Sequence, residues 1–291
     1  MAFAIDRIGD SVDRLGESPV WSAREQRLYW VDSLAGTLHR LLLESGRRED
    51  ITVPAPVGSF GLCQDGAVVL ALADGFHRYD LATGATTLLA RLPVRHPEIR
   101  LNDGKVDRHG RFLAGSMHLN LAAGAAPLGA LYRLEADNQV TTLVGNLTTA
   151  NGPCFSPDGA TLYLADSPRR VIWRFDYREG QARGQAPFID LAALDTAPDG
   201  ATVDAAGHLW VALVRSGEIG RFDTVGRLVQ RIAMPVRHPT SVTFGGPGLD
   251  VLFVTSISAS HRLQDPAPAA GGVFAVTSLD AQGIAEPLIS R

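Results

Sequence analysis

At 291 residues and a formal net charge of −4, the chain lacks the concentrated positive field that nucleic acids or anionic membrane surfaces require, so neither is expected as a partner. Hydrophobic residues at 45% and charged residues at 20% describe an ordinary globular chain that can bury a large core, which excludes intrinsic disorder. Cys63 and Cys154 are too few for a disulfide framework and read as small buried apolar residues in a reducing compartment.

In chain order, the opening Met-Ala-Phe-Ala-Ile-Asp-Arg-Ile has no basic start followed by a long apolar run. No secretory signal is read, and a cytoplasmic location is expected. No segment approaches the roughly 18 apolar residues of a spanning helix. Six segments then share one form: turn, strand, Asp/Gly turn, strand, small residue. They begin at Ser18 (SPVWSAREQRLYWVDS), Phe60 (FGLCQDGAVVLALAD), Asn102 (NDGKVDRHGRFLAGS), Asn151 (NGPCFSPDGATLYLADS), Pro198 (PDGATVDAAGHLWVALV) and Pro239 (PTSVTFGGPGLDVLFVTS). The anchors Asn102, Asn151 and Asp199 stand 49 and 48 residues apart by subtraction of their numbers, a period that suits one four-stranded propeller blade.

Each segment is followed by a second alternating stretch, such as Thr37 to Leu41, Phe76 to Asp80 or Ile172 to Asp176. Alternation with period two puts successive side chains on opposite faces of a strand, and helical periodicity is almost absent. Segments 120–129 and 180–200, rich in Ala, Gly and Pro, read as loops. The expected fold is an all-β, six-bladed propeller of four-stranded blades in one domain over 1–291. Phe3-Ala4-Ile5 is expected to close the ring by adding a strand to the last blade around Gly272 to Val276.

Three anchors carry oxygen side chains in Gly/Pro turns: Glu17 in Leu-Gly-Glu-Ser-Pro, Asn151 in Ala-Asn-Gly-Pro and Asp199 in Ala-Pro-Asp-Gly. Two carboxylates and an amide oxygen form a donor set for a hard divalent cation, with room for water or a substrate oxygen. Ca²⁺, Mg²⁺ or Mn²⁺ suit it, and Zn²⁺ or Fe²⁺ could bind with added waters. No His or Cys stands at the anchors, which argues against a structural zinc site. Asp65-Gly66 and Asp158-Gly159 fall inside their hairpins and are expected to be turns alone.

With LGESPVW at 15–21, RLNDGKVDRHGRFLAGSM at 100–117, NGPCFSPDG at 151–159, PDGATVDAAGHLWVA at 198–212 and the late GG and GGVF at 245–246 and 271–274, the chain resembles the family that groups senescence marker protein (regucalcin), gluconolactonase and luciferin-regenerating enzyme. The resemblance covers nearly the whole chain. It implies a propeller with one divalent metal in its central channel that hydrolyses sugar lactones. Glu17, Asn151 and Asp199 would be the metal ligands, and Arg100 and Asn102 would hold the substrate. Some members carry an acidic residue shortly after the Gly-Ser/Thr-Met turn. This chain reads Met117-His118-Leu119-Asn120 there, so His118 and Asn120 stand as substrate-binding candidates.

Lactone hydrolysis passes through a tetrahedral oxyanion, so a Lewis acid and a proton acceptor are needed. Asp199 is the first candidate for the base and Asp103 the alternative, though an Asp-Gly turn would equally explain Asp103. Rim candidates His96, His118, Arg169, Arg170, Arg215, Arg237, His238 and His261 would favour an anionic lactone if they converge. The expected partner is a small-molecule sugar lactone, with the chain a monomer or weak homo-oligomer. Competing readings are a non-enzymatic metal-binding propeller and an arylesterase of the paraoxonase type.

Overall fold

The alternation is realised as strands throughout, with three short 3-10 turns the only helical pieces among the described residues. A computed structural model describes residues 3–94, 96–119, 126–260 and 262–291. Strand β1 (Ala4–Ile8) precedes the first blade, which holds β2 (Gly16–Ser22), β3 (Arg27–Asp32), β4 (Thr37–Leu42) and β5 (Arg47–Thr52). The second holds β6 (Ser59–Leu62), β7 (Val68–Leu72), β8 (Gly75–Tyr79) and β9 (Thr86–Arg91); the third holds β10 (Ile99–Val106), β11 (Phe112–His118), β12 (Gly129–Leu134) and β13 (Val140–Leu147). The fourth comprises β14 (Ala150–Phe155), β15 (Thr161–Asp166), β16 (Val171–Asp176) and β17 (Arg183–Asp190), and the fifth β18 (Pro198–Val203), β19 (Leu209–Leu213), β20 (Glu218–Phe222) and β21 (Leu228–Ala233). The sixth joins β22 (Pro239–Gly245), β23 (Val251–Ser256) and β24 (Val273–Thr277) to β1.

Ring closure follows the sequence expectation. Ala4 to Ile8 pair antiparallel with Thr277 to Val273, which covers the edge of β24. The 180–200 stretch departs from it, because 183–190 form β17 and β18 begins at Pro198. Strand β17 is an outer strand whose side chains are mostly exposed, so burial imposes no apolar alternation and the sequence shows none. Of segment 120–129, residues 120–125 lie outside the described residues and Gly129 opens β12.

Hairpin turns use one device. In Asp204 to Gly207, the Gly207 N–H donates to the Asp204 carbonyl at 2.9 Å, and Asp204 Oδ1 accepts the N–H groups of Ala206 and His208 at 3.0 and 2.8 Å. Gly207 closes the turn at φ +85°, a conformation that costs a glycine little. Asp65 and Asp158 make the same contact with Ala67 and Ala160, as expected of turn residues.

The apolar core is distributed in wedges between neighbouring blades. Trp210 and Ile219 of blade five pack on Phe244, Val254 and Phe274 of blade six, and the Trp210 and Phe244 rings meet edge to face at 5.5 Å. Blade six meets blade one through Phe253, Val273, Trp21 and Trp30. Cys63 and Cys154 are free and buried, and burial pushes their thiols up to about 11 and about 12. The last residues cross the end of the ring where inner strands finish: Gln282 O accepts the Ala205 N–H at 2.7 Å, Glu286 pairs with Lys105 at 3.0 Å, and Ile289 packs beside Cys63 and Phe112.

In blade one, His39 stacks on Trp30 at 4.9 Å while Nε2 lies 3.1 Å from Asp13 Oδ1 and Nδ1 lies 2.8 Å from Asp50 Oδ1. Burial alone would depress its pKa, but the two carboxylates outweigh burial and hold it above the ordinary 6.5. A raised histidine pKa adds stability that is complete below 6.5 and is lost as pH rises through the folded-state value. The stability difference between the parent and His39→Gln, from urea unfolding at pH 6 to 8.5, is therefore expected to shrink with rising pH; a constant difference contradicts it. Deleting residues 2–9 uncovers β24 and is expected to cost at least about 2 kcal/mol and to promote association, read by thermal unfolding and light scattering.

Candidate metal centre and channel

The inner strands line the channel, and five of the six depart from regular pairing. The register slips between Glu17 and Val20 in β2, Leu101 and Gly104 in β10, Asn151 and Cys154 in β14, Pro198 and Ala201 in β18, and Pro239 and Ser241 in β22. Glu17 and Asn151 begin their slips, while Asn102, Asp103 and Asp199 lie within theirs. A bulge re-aims side chains out of the pleat, which lets one strand offer them to the axis rather than to a neighbouring blade. Strand β6 pairs regularly and brings no carboxylate; its Ser59 Oγ instead donates to the Asn102 carbonyl at 2.7 Å.

Asp103 ties three bulges together. Its Oδ1 accepts Ser18 Oγ–H at 3.2 Å and the Gly104 N–H at 2.8 Å, and its Oδ2 accepts the Gly152 N–H at 2.8 Å. Gly152 has φ +52°, and a Cβ there would stand 2.7 Å from the Asp199 carbonyl, so the close approach of blades four and five requires glycine. Asn102 Nδ2 donates to Ala150 O at 3.1 Å and to Asn151 Oδ1. Asn151 Nδ2 donates to Ser167 Oγ at 2.8 Å, which fixes the amide with its oxygen toward Asn102.

Glu17, Asp103 and Asp199 are close enough to repel one another. Burial, then Asp199 and Asp103, push the Glu17 carboxyl well above its usual range, against the opposing attraction of Arg100. Asp199 is likewise pushed well up by burial and by Asp103, and Asp103 is raised by burial against its three donors. Arg100 is buried, donates Nη1–H to Leu101 O at 2.8 Å, and has its pKa lowered by burial with Glu17 opposing. Among the described residues no three His, Cys, Asp or Glu side chains form a ready-made metal cluster. The expected donors Glu17 and Asp199 carry a repulsion that Arg100 only partly offsets, which fits a hard divalent cation, and the oxygen of the third, Asn151, accepts from Asn102.

Above this floor opens a cavity of about 660 Å³, walled by apolar residues such as Ile99, Met117 and Leu263, with Arg100 and Arg262 on its lining. His118 does not join the carboxylates: it is buried with Nε2 3.1 Å from Glu98 Oε2, and its ring lies 6.4 Å from His96. Asn120 and His261 lie outside the described residues. Of the other rim candidates, Arg169 bonds Asn146 O and Asp166, Arg170 pairs with Asp195, and His238 Nδ1 meets Val214 O, while Arg215 and Arg237 also stay off the cavity lining. Arg262 was absent from that set, because no turn motif or repeat anchor marks it.

Residues 15–258 match the SMP-30/Gluconolactonase/LRE-like region. The chain belongs to this family. It is 37% identical over 280 residues to a 6-deoxy-6-sulfogluconolactonase of Pseudomonas putida, covering 95% of each chain, and 34% identical to a pentonolactonase of Haloferax volcanii, covering 93% of each. A calcium-binding regucalcin from Agrobacterium tumefaciens superposes with a TM-score of 0.89 at 32% identity, over 98% of this chain and 97% of that one. The six-bladed architecture and the family expected from the motifs thus both hold.

Replacing Glu17 with Gln removes one charge from the buried trio. Carboxyls with raised pKa cost stability as pH rises, so metal-free Glu17→Gln is expected to melt above the parent by roughly 2 °C or more at pH 8, and by less at pH 6. The same substitution should reduce the rise in melting temperature on adding a divalent ion. Scanning calorimetry with and without chelator reads both, and a metal-free variant no more stable than the parent at either pH contradicts mutual repulsion.

Proposed function

We propose that this chain is a metal-dependent hydrolase of sugar lactones, opening an aldonolactone to the corresponding acid. The observation that carries the reading is the placement of Glu17, Asp103 and Asp199 on bulged inner strands beside a cavity edged by Arg100, in a chain whose relatives are named lactonases. Glu17, Asn151 and Asp199 would hold the ion. When bound, a divalent cation supplies Lewis acidity toward a carbonyl oxygen and toward water.

The chain's own residues supply the rest. Arg100 presents guanidinium N–H groups to the lactone's oxygens, and its burial keeps those donors from competing water. Asn102 Nδ2 is engaged by Ala150 O and Asn151 Oδ1, which leaves its own Oδ1 to accept from substrate hydroxyls. Asp199 takes the proton from the attacking water. Asp103 serves as a positioning residue instead, since both its oxygens are engaged by donors from three blades. The Asn151 amide is locked by Ser167, so its oxygen arrives preoriented.

Calcium heads the proposed ions because the Agrobacterium tumefaciens relative is a calcium-binding protein and the donors here are oxygens, with Zn²⁺, Mg²⁺, Mn²⁺ and Fe²⁺ as arms of the test. The free, buried cysteines suit a cytoplasmic site of action, and no helix among the described residues is long and apolar enough to cross a membrane.

A panel of five- and six-membered sugar lactones, followed by acid release with spontaneous opening subtracted, tests the reading. Turnover is expected to vanish on chelation while the circular dichroism spectrum is retained, and to return with one ion added back. Asp199→Ala is expected to lower kcat by roughly 10²–10⁴-fold. Turnover that survives both chelation and Asp199→Ala, or its absence with every lactone and ion, refutes the proposal; an ion that stabilises without any turnover marks a non-enzymatic propeller.

A further inference from the structure

The channel has two electrical ends. Its floor gathers Glu17, Asp103 and Asp199, whereas the charged residues among those described on the mouth cavity's lining are Arg100, beside Glu17, and Arg262. Arg262 comes from the loop between β23 and β24 in blade six, yet its Nη2–H donates to Leu119 O at 2.9 Å, just beyond β11 in blade three. In a ring of six, blades three and six face each other, so this side chain reaches across the mouth.

The turn beneath Arg262 is built to hold it. Ser260 N–H donates to Leu263 O at 2.8 Å, Ser260 Oγ accepts the Leu263 N–H at 3.1 Å, and Ala259 pairs with Gln264. Among the described residues the guanidinium has one hydrogen bond and no ion pair, so most of its five donors remain for a ligand. At this rim the Glu98 carboxylate is engaged by His118 at 3.1 Å.

We propose that Arg262 is a specificity-determining substrate contact that selects lactones carrying a sulfonate or phosphate on the carbon farthest from the ester, while Arg100 holds the ring. The proposal rests on the lactonase reading and narrows its substrate class. Beyond Arg100, Arg262 is the charged residue that the described lining of this mostly apolar cavity offers to an anion. An anionic substituent held by Arg262 at the mouth leaves the lactone ring directed inward, toward Arg100. Guanidinium forks match the oxygens of sulfonate and phosphate in geometry as well as charge.

The test compares glucono-lactone with its 6-sulfonate and 6-phosphate analogues. The parent is expected to favour one or both anionic lactones by roughly tenfold or more in kcat/KM, and the preference should fall with added salt. Arg262→Ala should raise KM for the anionic lactone roughly tenfold while leaving its kcat, and both constants for the neutral lactone, within about twofold. Arg262→Lys should recover part of the loss and Arg262→Glu deepen it. Equal loss on neutral and anionic lactones, or a parent that favours the neutral one, overturns the inference and leaves the lactonase reading intact. A binding arm separates the two failures. If neither lactone is opened, protection against thermal unfolding by 6-sulfogluconate or 6-phosphogluconate over gluconate, present in the parent and lost in Arg262→Ala, still supports the anion contact, and its absence sinks it.

Discussion

Three carboxyl groups that burial keeps from water share the axis of the ring, and the rest of the architecture answers that constraint. Desolvation and mutual repulsion both disfavour their charged forms, and left alone such a cluster would protonate or pull apart. Asp103 is reconciled by the protein itself, through Ser18, Gly104 and Gly152. Glu17 is relieved in part by Arg100 and the Ser18 backbone, and Asp199 by the Gly200 backbone, yet both stay well above the usual carboxyl range. Asp103 carries three donors, whereas Glu17 and Asp199 stay pushed up by burial and repulsion that the proposed cation would relieve.

Holding strained groups together requires stiffness elsewhere. The wedges between blades supply it, because each inner strand is clamped on both sides by apolar side chains such as Trp30, Trp210 and Phe253 that have no exposure to exploit by moving apart. Closure by β1 makes the clamp circular, so the repulsion at the axis cannot be relieved by opening one blade. The C-terminal crossing at the far end, through Gln282, Glu286 and Ile289, leaves the Arg100 side as the broad approach for a substrate.

Much of this was legible in the chain. The 48- to 49-residue period, the Asp/Gly hairpins and the apolar opening lead to the propeller and its closure because each is a local signal with one physical meaning. Glu17, Asn151 and Asp199 were legible for a related reason: each stands directly before Ser-Pro, Gly-Pro or Gly, and those residues are where the strand register slips. What was not legible depends on partners distant in sequence. Asn102-Asp103-Gly104 reads as a turn, and nothing local announces that Asp103 will receive donors from Ser18 and Gly152. Strand β17 was missed because an exposed outer strand is free of the alternation that burial enforces.

Arg262 and Leu119 illustrate the same limit at the mouth. They are 143 positions apart and sit on opposite blades, so only ring closure at six makes them neighbours. A ring one blade larger would move the sixth blade off the diameter and widen the gap that a single side chain must cross. The number of blades, set by how many repeats the chain carries, thereby decides which loops confront each other over the channel. In the proposed reading, the floor's chemistry draws on residues placed by inner strands, whereas the Arg262 contact draws on a loop between the two middle strands of its blade, and such loops differ freely from blade to blade. The two functions can change independently, because a substitution at the rim leaves the bulges and their carboxylates untouched.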